Sequence, residues 1–261
     1  MAVPRMRVCV LISGRGSNME SLIRNADGYT IEAVISNKPD AAGLRVADGL
    51  GVRCMAEPSL DGIRDMMDGM RPDLVCMAGF MRILPADLTE RYRVMNIHPS
   101  LLPQYPGLRA VEQALNDGAT SSGCTVHFAD SGVDTGKIIA QAAVQVAPGD
   151  TSDTLAARIL EWEHRLYPEA VRWYAARLAA EGGEGPAVRG RDRQMIRTAE
   201  PERAASHAAE MGVAYVRRDG DSYMISAEKP TVPPYVAVVP GDGVGLALER
   251  VRRLAATDGS A

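Results

Sequence analysis

The segment Asn96-Ile97-His98-Pro99-Ser100-Leu101-Leu102-Pro103 and the later Gly132-Val133-Asp134-Thr135-Gly136 hold an amide, an imidazole and a carboxylate. These three side chains offer complementary chemistry. An amide N–H can hold a developing oxyanion, a histidine can donate or relay a proton, and an aspartate can keep that histidine protonated. Asn96 and His98 lie two residues apart at the end of the apolar run around Val94-Met95, and on a strand this spacing puts both on one face. Pro99 ends that strand and leaves the imidazole at its carboxyl end, where open α/β sheets place ligands. Near the front of the chain, Gly14-Arg15-Gly16-Ser17-Asn18 lies between a strand-like and a helix-like segment. Its free backbone N–H groups, beside a helix N-terminus, suit a phosphate.

Those residues need a frame, and the periodicity supplies one. Val8 to Ile12 is a continuous apolar run, the pattern of a strand buried on both faces. Strands are expected at 30–35, 53–55, 74–78, 94–98, 124–128 and 138–146. Helices are expected from Ser17 to about Ala26 and over 41–50, 63–70 and 109–117. A long final helix should be capped by Pro148-Gly149-Asp150-Thr151-Ser152-Asp153 and kinked or restarted at Pro168. This alternation predicts an α/β fold with a Rossmann-like, mostly parallel sheet flanked by helices. Residues 1–180 form the first domain in this reading, and 181–198, beginning Glu181-Gly182-Gly183-Glu184-Gly185-Pro186, form a linker. Residues 199–261 form a small α+β appendage, with helices at 201–211 and 244–254 and a hairpin around Asp219-Gly220-Asp221.

Composition narrows the field. The 261-residue chain carries a formal charge of -4, which gives no reason to expect a nucleic-acid partner. No apolar stretch is long enough to span a bilayer and the first residues lack a signal-peptide pattern, so a cytoplasmic protein is expected. Cys9, Cys54, Cys76 and Cys124 lack metal-ligand spacing and read as free thiols in a reducing compartment. No metal is expected.

The same residues resemble the folate-dependent formyltransferase superfamily. The likeness rests on Leu11-Ile12-Ser13-Gly14-Arg15-Gly16-Ser17-Asn18, Ala78-Gly79-Phe80-Met81-Arg82-Ile83-Leu84, Asn96 to Pro103 with Tyr105-Pro106-Gly107-Leu108, and Thr125-Val126-His127-Phe128 leading to Asp134. Glu163-His164 and Tyr167-Pro168 complete it. The resemblance implies formyl transfer from the cosubstrate 10-formyltetrahydrofolate to the amine of 5-phosphoribosylglycinamide, in purine biosynthesis. It makes Asn96, His98 and Asp134 catalytic, and gives the substrate phosphate to Gly16, Ser17 and Asn18. Glu163, which alone reads as a solvated helix charge, would grip the glycinamide. Met81, Arg82, Ile83, Leu84 and Asn96, with Asp130, Ser131, Gly132, Val133 and Asp134 as the opposite lip, would line the folate cleft, although Met81, Ile83 and Leu84 alone read as core. The resemblance also suggests a cis Leu102–Pro103 peptide.

Other activities stay open at this point: a 10-formyltetrahydrofolate hydrolase, a formyltransferase acting on methionyl-tRNA or an amino sugar nucleotide, or a non-catalytic binding regulator. The tail from Glu181 to Ala261 has 11 Lys and Arg against 12 Asp and Glu, so it lacks the basic surface a tRNA partner needs. Small-molecule substrates are the expected partners. The tail is expected to pack on the first domain or to mediate self-association into a homo-oligomer. Two departures from the family pattern stand out. Arg109 occupies a position commonly held by histidine, and the connection from Glu57 to Pro72 is short, so no residue there is assigned to the folate glutamate tail.

Overall fold

The computed structural model describes residues 5–180 and the strand segments 195–198, 214–219, 222–226 and 236–238. Its first strand, β1 (Met6–Ile12), shows why the sheet is central. Val8, Val10 and Ile12 enter one hydrophobic core while Cys9 and Leu11 enter another, so alternate side chains supply both faces. The chain continues through α1 (Ser17–Arg24), β2 (Tyr29–Ser36), α2 (Ala42–Gly49), β3 (Cys54–Ala56), α3 (Leu60–Met70), β4 (Leu74–Met77), α4 (Ala86–Arg91) and β5 (Val94–His98). After α5 (Ala110–Asn116) come β6 (Ser121–Phe128), β7 (Ile138–Gln145) and α6 (Ser152–Ala180).

The order across these strands is β3-β2-β1-β4-β5-β6-β7. The first five are parallel, and β6 runs antiparallel to both β5 and β7. Chain progress reverses between β1, whose next strand lies on one side, and β4, which lies on the other. That reversal opens a crevice beyond the strand carboxyl ends. The residues of α1, α2 and α6 cover one face, and Ile63 and Met67 of α3 with Leu88 of α4 cover the other.

One element goes beyond the sequence reading, and one alternative at Pro168 is settled. The helix α4 was not anticipated, because it has six residues and buries only Leu88, too little to show a period. The helix α6 runs through Pro168 without restarting. Leu166, Tyr167, Ala170 and Val171 around that proline are all buried, and this packing offsets the lost backbone hydrogen bond. As expected, Leu102–Pro103 is cis. Cys9, Cys76 and Cys124 are buried free thiols and Cys54 is half-buried.

Beyond α6, β8 (Met195–Thr198) pairs parallel with β7, placing Met195 opposite Ala140 at the end of the stretch expected to be a linker. It is followed by β9 (Ala214–Asp219), β10 (Ser222–Ser226) and β11 (Val236–Val238). The strands β9 and β10 pair antiparallel with Asp219 opposite Ser222, in the place where a hairpin was expected. The helices expected over 201–211 and 244–254 lie outside the described residues.

Candidate active site

The strand β5 alternates as its spacing requires. Met95 and Ile97 enter the core on one face, and Asn96 and His98 share the other. Antiparallel pairing with β6 sets His127 opposite Asn96 and Thr125 opposite His98. Thr125 is buried and works on the loop after β5: its hydroxyl donates to Ser100 O at 2.6 Å and accepts from Leu102 N at 3.0 Å. The amide of buried Gln141 donates to Leu102 O at 2.8 Å and to the Thr125 hydroxyl at 3.0 Å. This network fixes the turn that carries Tyr105 and Gly107 back toward His98.

Asp134 arrives from the loop after β6. Its φ of 54° lies in the left-handed region, and the loop holds it there by internal ties. Asp130 accepts from Gly132 N at 3.0 Å and from the Thr135 hydroxyl at 2.7 Å. The chain passes so close at Gly136 that a Cβ there would lie 1.8 Å from Phe128 O. Thus Asp130, expected at the folate lip, spends its carboxylate on the shape of the lip.

The three expected catalytic residues meet. Asp134 Oδ2 is 3.2 Å from His98 Nδ1 and accepts from Gly107 N at 2.8 Å. Its Oδ1 is 3.4 Å from both His127 Nε2 and Asn96 Nδ2. The second nitrogen of His98, Nε2, lies 2.8 Å from Tyr105 O. Both ring nitrogens of His98 therefore face acceptors, an arrangement that only the doubly protonated ring satisfies in full. Burial works against that charge. It is the largest influence and leaves the His98 pKa below its ordinary value, although the Tyr105 carbonyl and Asp134 push upward. Asp134 thus raises the His98 pKa as expected, while desolvation acts in the opposite sense and is the larger influence.

Asp134 itself is held at about 2. Burial pushes its pKa up, but donors from His127 and Gly107 and the charges on the two histidines together prevail. His127 belongs to the site in a supporting role. Its Nδ1 is 3.0 Å from Phe128 O, and its Nε2 stands 3.1 Å from Asn96 Nδ2 and 3.4 Å from Asp134 Oδ1, so the ring packs against both groups and helps hold them in place. Its cross-strand register with Asn96 is a long-range pairing that leaves no local signal in the sequence.

A second cluster forms where α6 crosses α1. Gly16 caps α1 with φ 79°, and a Cβ there would lie 2.7 Å from Met19 Cε and 3.0 Å from Gly43 Cα. Gly43 N donates to Gly14 O at 3.0 Å, so α2 braces the turn, a role no motif announced. The first-turn N–H groups of α1 point out of the helix end, as an anion site needs. Asn18 donates its side-chain amide to Glu163 Oε2 at 2.7 Å, which leaves its backbone N–H as the contribution to the turn. Glu163 is only 6% exposed. Burial raises its pKa to about 7, opposed by the Asn18 hydrogen bond. A solvated charge is the wrong description of this residue, and the signal was present: Leu155, Ile159 and Glu163 follow one another at four-residue steps along the buried stripe.

The expected folate segment splits. Leu84 is buried in the core beside Phe80, whereas Met81 and Ile83 are 67% and 64% exposed. The Arg82 guanidinium donates to Pro58 O at 2.6 Å. With Leu108 at 77% and Val133 at 48%, Met81 and Ile83 are the large exposed hydrophobics among the described residues. Met81 and Ile83 follow β4 and Leu108 follows β5, at the crevice end; Val133 follows antiparallel β6, and its Cγ1 comes within 3.8 Å of where a Gly107 Cβ would stand. Arg109 is the left-handed N-cap of α5, 3.9 Å from Glu112. Among the described residues, no group of three or more His, Cys, Asp or Glu is placed to hold a metal ion, and no helix is long and apolar enough to cross a membrane.

The model of the formyl transferase family matches residues 6–171, the part of the chain that holds the open α/β sheet and its amide–imidazole–carboxylate site. The chain belongs to that family. Over 184 residues it is 46% identical to the trifunctional purine biosynthetic protein adenosine-3 of Drosophila melanogaster, covering 64% of this chain but only 14% of that protein. It is 40% identical to phosphoribosylglycinamide formyltransferase of Escherichia coli K12, with 65% of this chain and 87% of that one covered. A crystal structure of glycinamide ribonucleotide transformylase 1 from Symbiobacterium toebii superposes with a TM-score of 0.65 at 41% identity, covering 66% of this chain and 89% of that one.

Proposed function

We propose that this protein transfers the formyl group of 10-formyltetrahydrofolate to the amine of 5-phosphoribosylglycinamide, a step of purine biosynthesis. The observation that carries the reading is the meeting of Asn96, His98 and Asp134 at one end of β5, with Asp134 3.2 Å from His98. The amine nitrogen attacks the formyl carbon, a C–N bond forms, and the carbonyl pair moves onto oxygen. Asn96 and His98 meet that oxyanion. Of the two contacts of Asn96 Nδ2, the 3.4 Å contact to Asp134 is the longer and the one the oxyanion takes over. When the intermediate collapses, the bond to the folate nitrogen breaks. The attacking nitrogen loses a proton and the departing nitrogen gains one, a transfer that His98 is placed to carry while ionised Asp134 orients its ring.

In this reading the Gly16, Ser17 and Asn18 turn holds the 5′-phosphate and Glu163 receives the glycinamide amine. Met81 to Ile83 and Asp130 to Asp134 line the folate cleft, with Met81, Ile83 and Val133 supplying apolar walls and Leu84 anchoring the segment in the core. Residues 199–261 take no part in the chemistry. The test is formyl-folate turnover with and without the glycinamide ribonucleotide. Turnover only with the nucleotide supports transfer; turnover without it supports hydrolysis, and none in either case supports a binding role.

A further inference from the structure

We propose that Ser13 is a positioning residue whose hydroxyl sets affinity for the folate cosubstrate, although it adjoins the phosphate turn in sequence. This rests on the functional reading above, in which the segment from Met81 lines the folate cleft. Ser13 stands at the point where chain progress reverses between β1 and β4. The backbone ladder between these strands continues through Ala78 N to Leu11 O at 2.9 Å and Ser13 N to Gly79 O at 3.1 Å. Gly79, at φ 73°, then turns the chain away. Beyond that turn the Ser13 hydroxyl replaces the ladder: it accepts from Met81 N at 2.8 Å and donates to Asn37 Oδ1, just past β2, at 2.6 Å. One buried hydroxyl thus ties the carboxyl ends of three strands, its single proton committed to Asn37 and an acceptor site committed to Met81.

The Met81 side chain is largely exposed and gives its own backbone little anchorage, so the Ser13 contact is what fixes the start of the lip. The phosphate turn is braced independently, by Gly43 N to Gly14 O at 3.0 Å and Glu20 N to Gly16 O at 2.8 Å. Loss of the hydroxyl should therefore loosen the lip and spare the turn.

The experiment compares Ser13→Ala, Ser13→Thr and Asn37→Ala with the unaltered protein, measuring kcat, both KM values and tetrahydrofolate binding by calorimetry. Ser13→Ala should raise the folate KM and the tetrahydrofolate Kd about tenfold, the scale of one lost buried hydrogen bond. Nucleotide KM should stay within about twofold and kcat within about threefold, since uniform binding is what has been lost. Ser13→Thr, which keeps a hydroxyl, should recover most of the folate affinity. Unchanged folate affinity in Ser13→Ala, or a nucleotide KM that rises as much as the folate KM, would overturn the proposal. If Ser13→Ala does not fold, Asn37→Ala decides: it should weaken folate binding about threefold, and no change refutes the tie. Failure of the unaltered protein to bind tetrahydrofolate would instead remove the functional reading itself.

Discussion

Asp134 and Glu163 are both carboxylates withdrawn from water, and they end in opposite states. Asp134 sits among donors from Gly107, Asn96 and two histidines, and is held at about 2. Glu163 has one donor, Asn18, and burial carries it to about 7. The difference teaches that a carboxylate's charge follows the balance of desolvation against the donors aimed at it: Asp134 is half-buried and ringed by donors, whereas Glu163 is buried with little to offset it. Asp134 is a permanent anion whose acceptor capacity is already used. Glu163 titrates near neutrality, which suits the role proposed for it, receiving an incoming amine.

Removing the fixed charge should have the largest effect. Asp134→Asn and His98→Ala are each expected to lower kcat at least about a hundredfold while leaving the far-ultraviolet circular dichroism unchanged. Asn96→Ala should fall in the same range, since an oxyanion donor is worth roughly 3 kcal/mol. Near-normal kcat in Asp134→Asn would erase the contrast between the two acids.

The titratable acid should show itself as a pH dependence. Nucleotide KM is expected to fall as pH rises through about 7, where Glu163 ionises, and Glu163→Gln should raise KM about tenfold at pH 8 and flatten the profile. Stability should move the other way. Because the folded pKa lies above the unfolded value, the native state holds the extra proton, and stability falls as pH climbs from the ordinary carboxylate range through about 7. A shift of this size corresponds to roughly 3 kcal/mol, so Glu163→Gln should melt higher than the unaltered protein at pH 8 and equally at pH 4. Equal melting curves at pH 8 would show that Glu163 is not buried as a proton-holding acid.

Gly16→Val tests whether the turn beside Glu163 is a ligand site. The positive φ and the 2.7 Å approach to Met19 Cε make the change costly, and nucleotide KM should rise several-fold more than folate KM. Equal rises would make the turn purely structural. The smallest effect on chemistry is expected from a chain ending at Ala180, because every residue proposed to react lies before it. Such a chain should keep measurable transfer but melt a few degrees lower, since β7 loses its pairing with β8. A folded, folate-binding product without any transfer would show that the later residues complete the site.

Much of this was legible from residue order. The two-residue step from Asn96 to His98 fixed a shared face because a strand has period two, and the run Val8 to Ile12 announced a strand buried on both sides. The meeting of Asp134 with His98 came from resemblance and not from spacing, since a 36-residue separation carries no local geometry. The supports were the least visible. Gly43 under the glycine turn, Thr125 and Gln141 under the cis turn, and the Tyr105 carbonyl against His98 act through contacts to backbone groups that leave no helical or strand period. The balance at His98 was hidden for a different reason: the desolvation that lowers its pKa depends on everything packed around it.

The pairing of Asn18 with Glu163 joins residues 145 positions apart. Such a contact forms only after a long loop closes, and α6 reaches the sheet at the same stage, with the Tyr167 hydroxyl 2.9 Å from Met95 O and 3.1 Å from Met77 O. A partly folded chain with α6 undocked therefore has the glycine turn but not the acid beside it. On the proposed function, a nucleotide held by both groups would favour the fully assembled topology over every earlier one, and the substrate itself would act as a brake on unfolding.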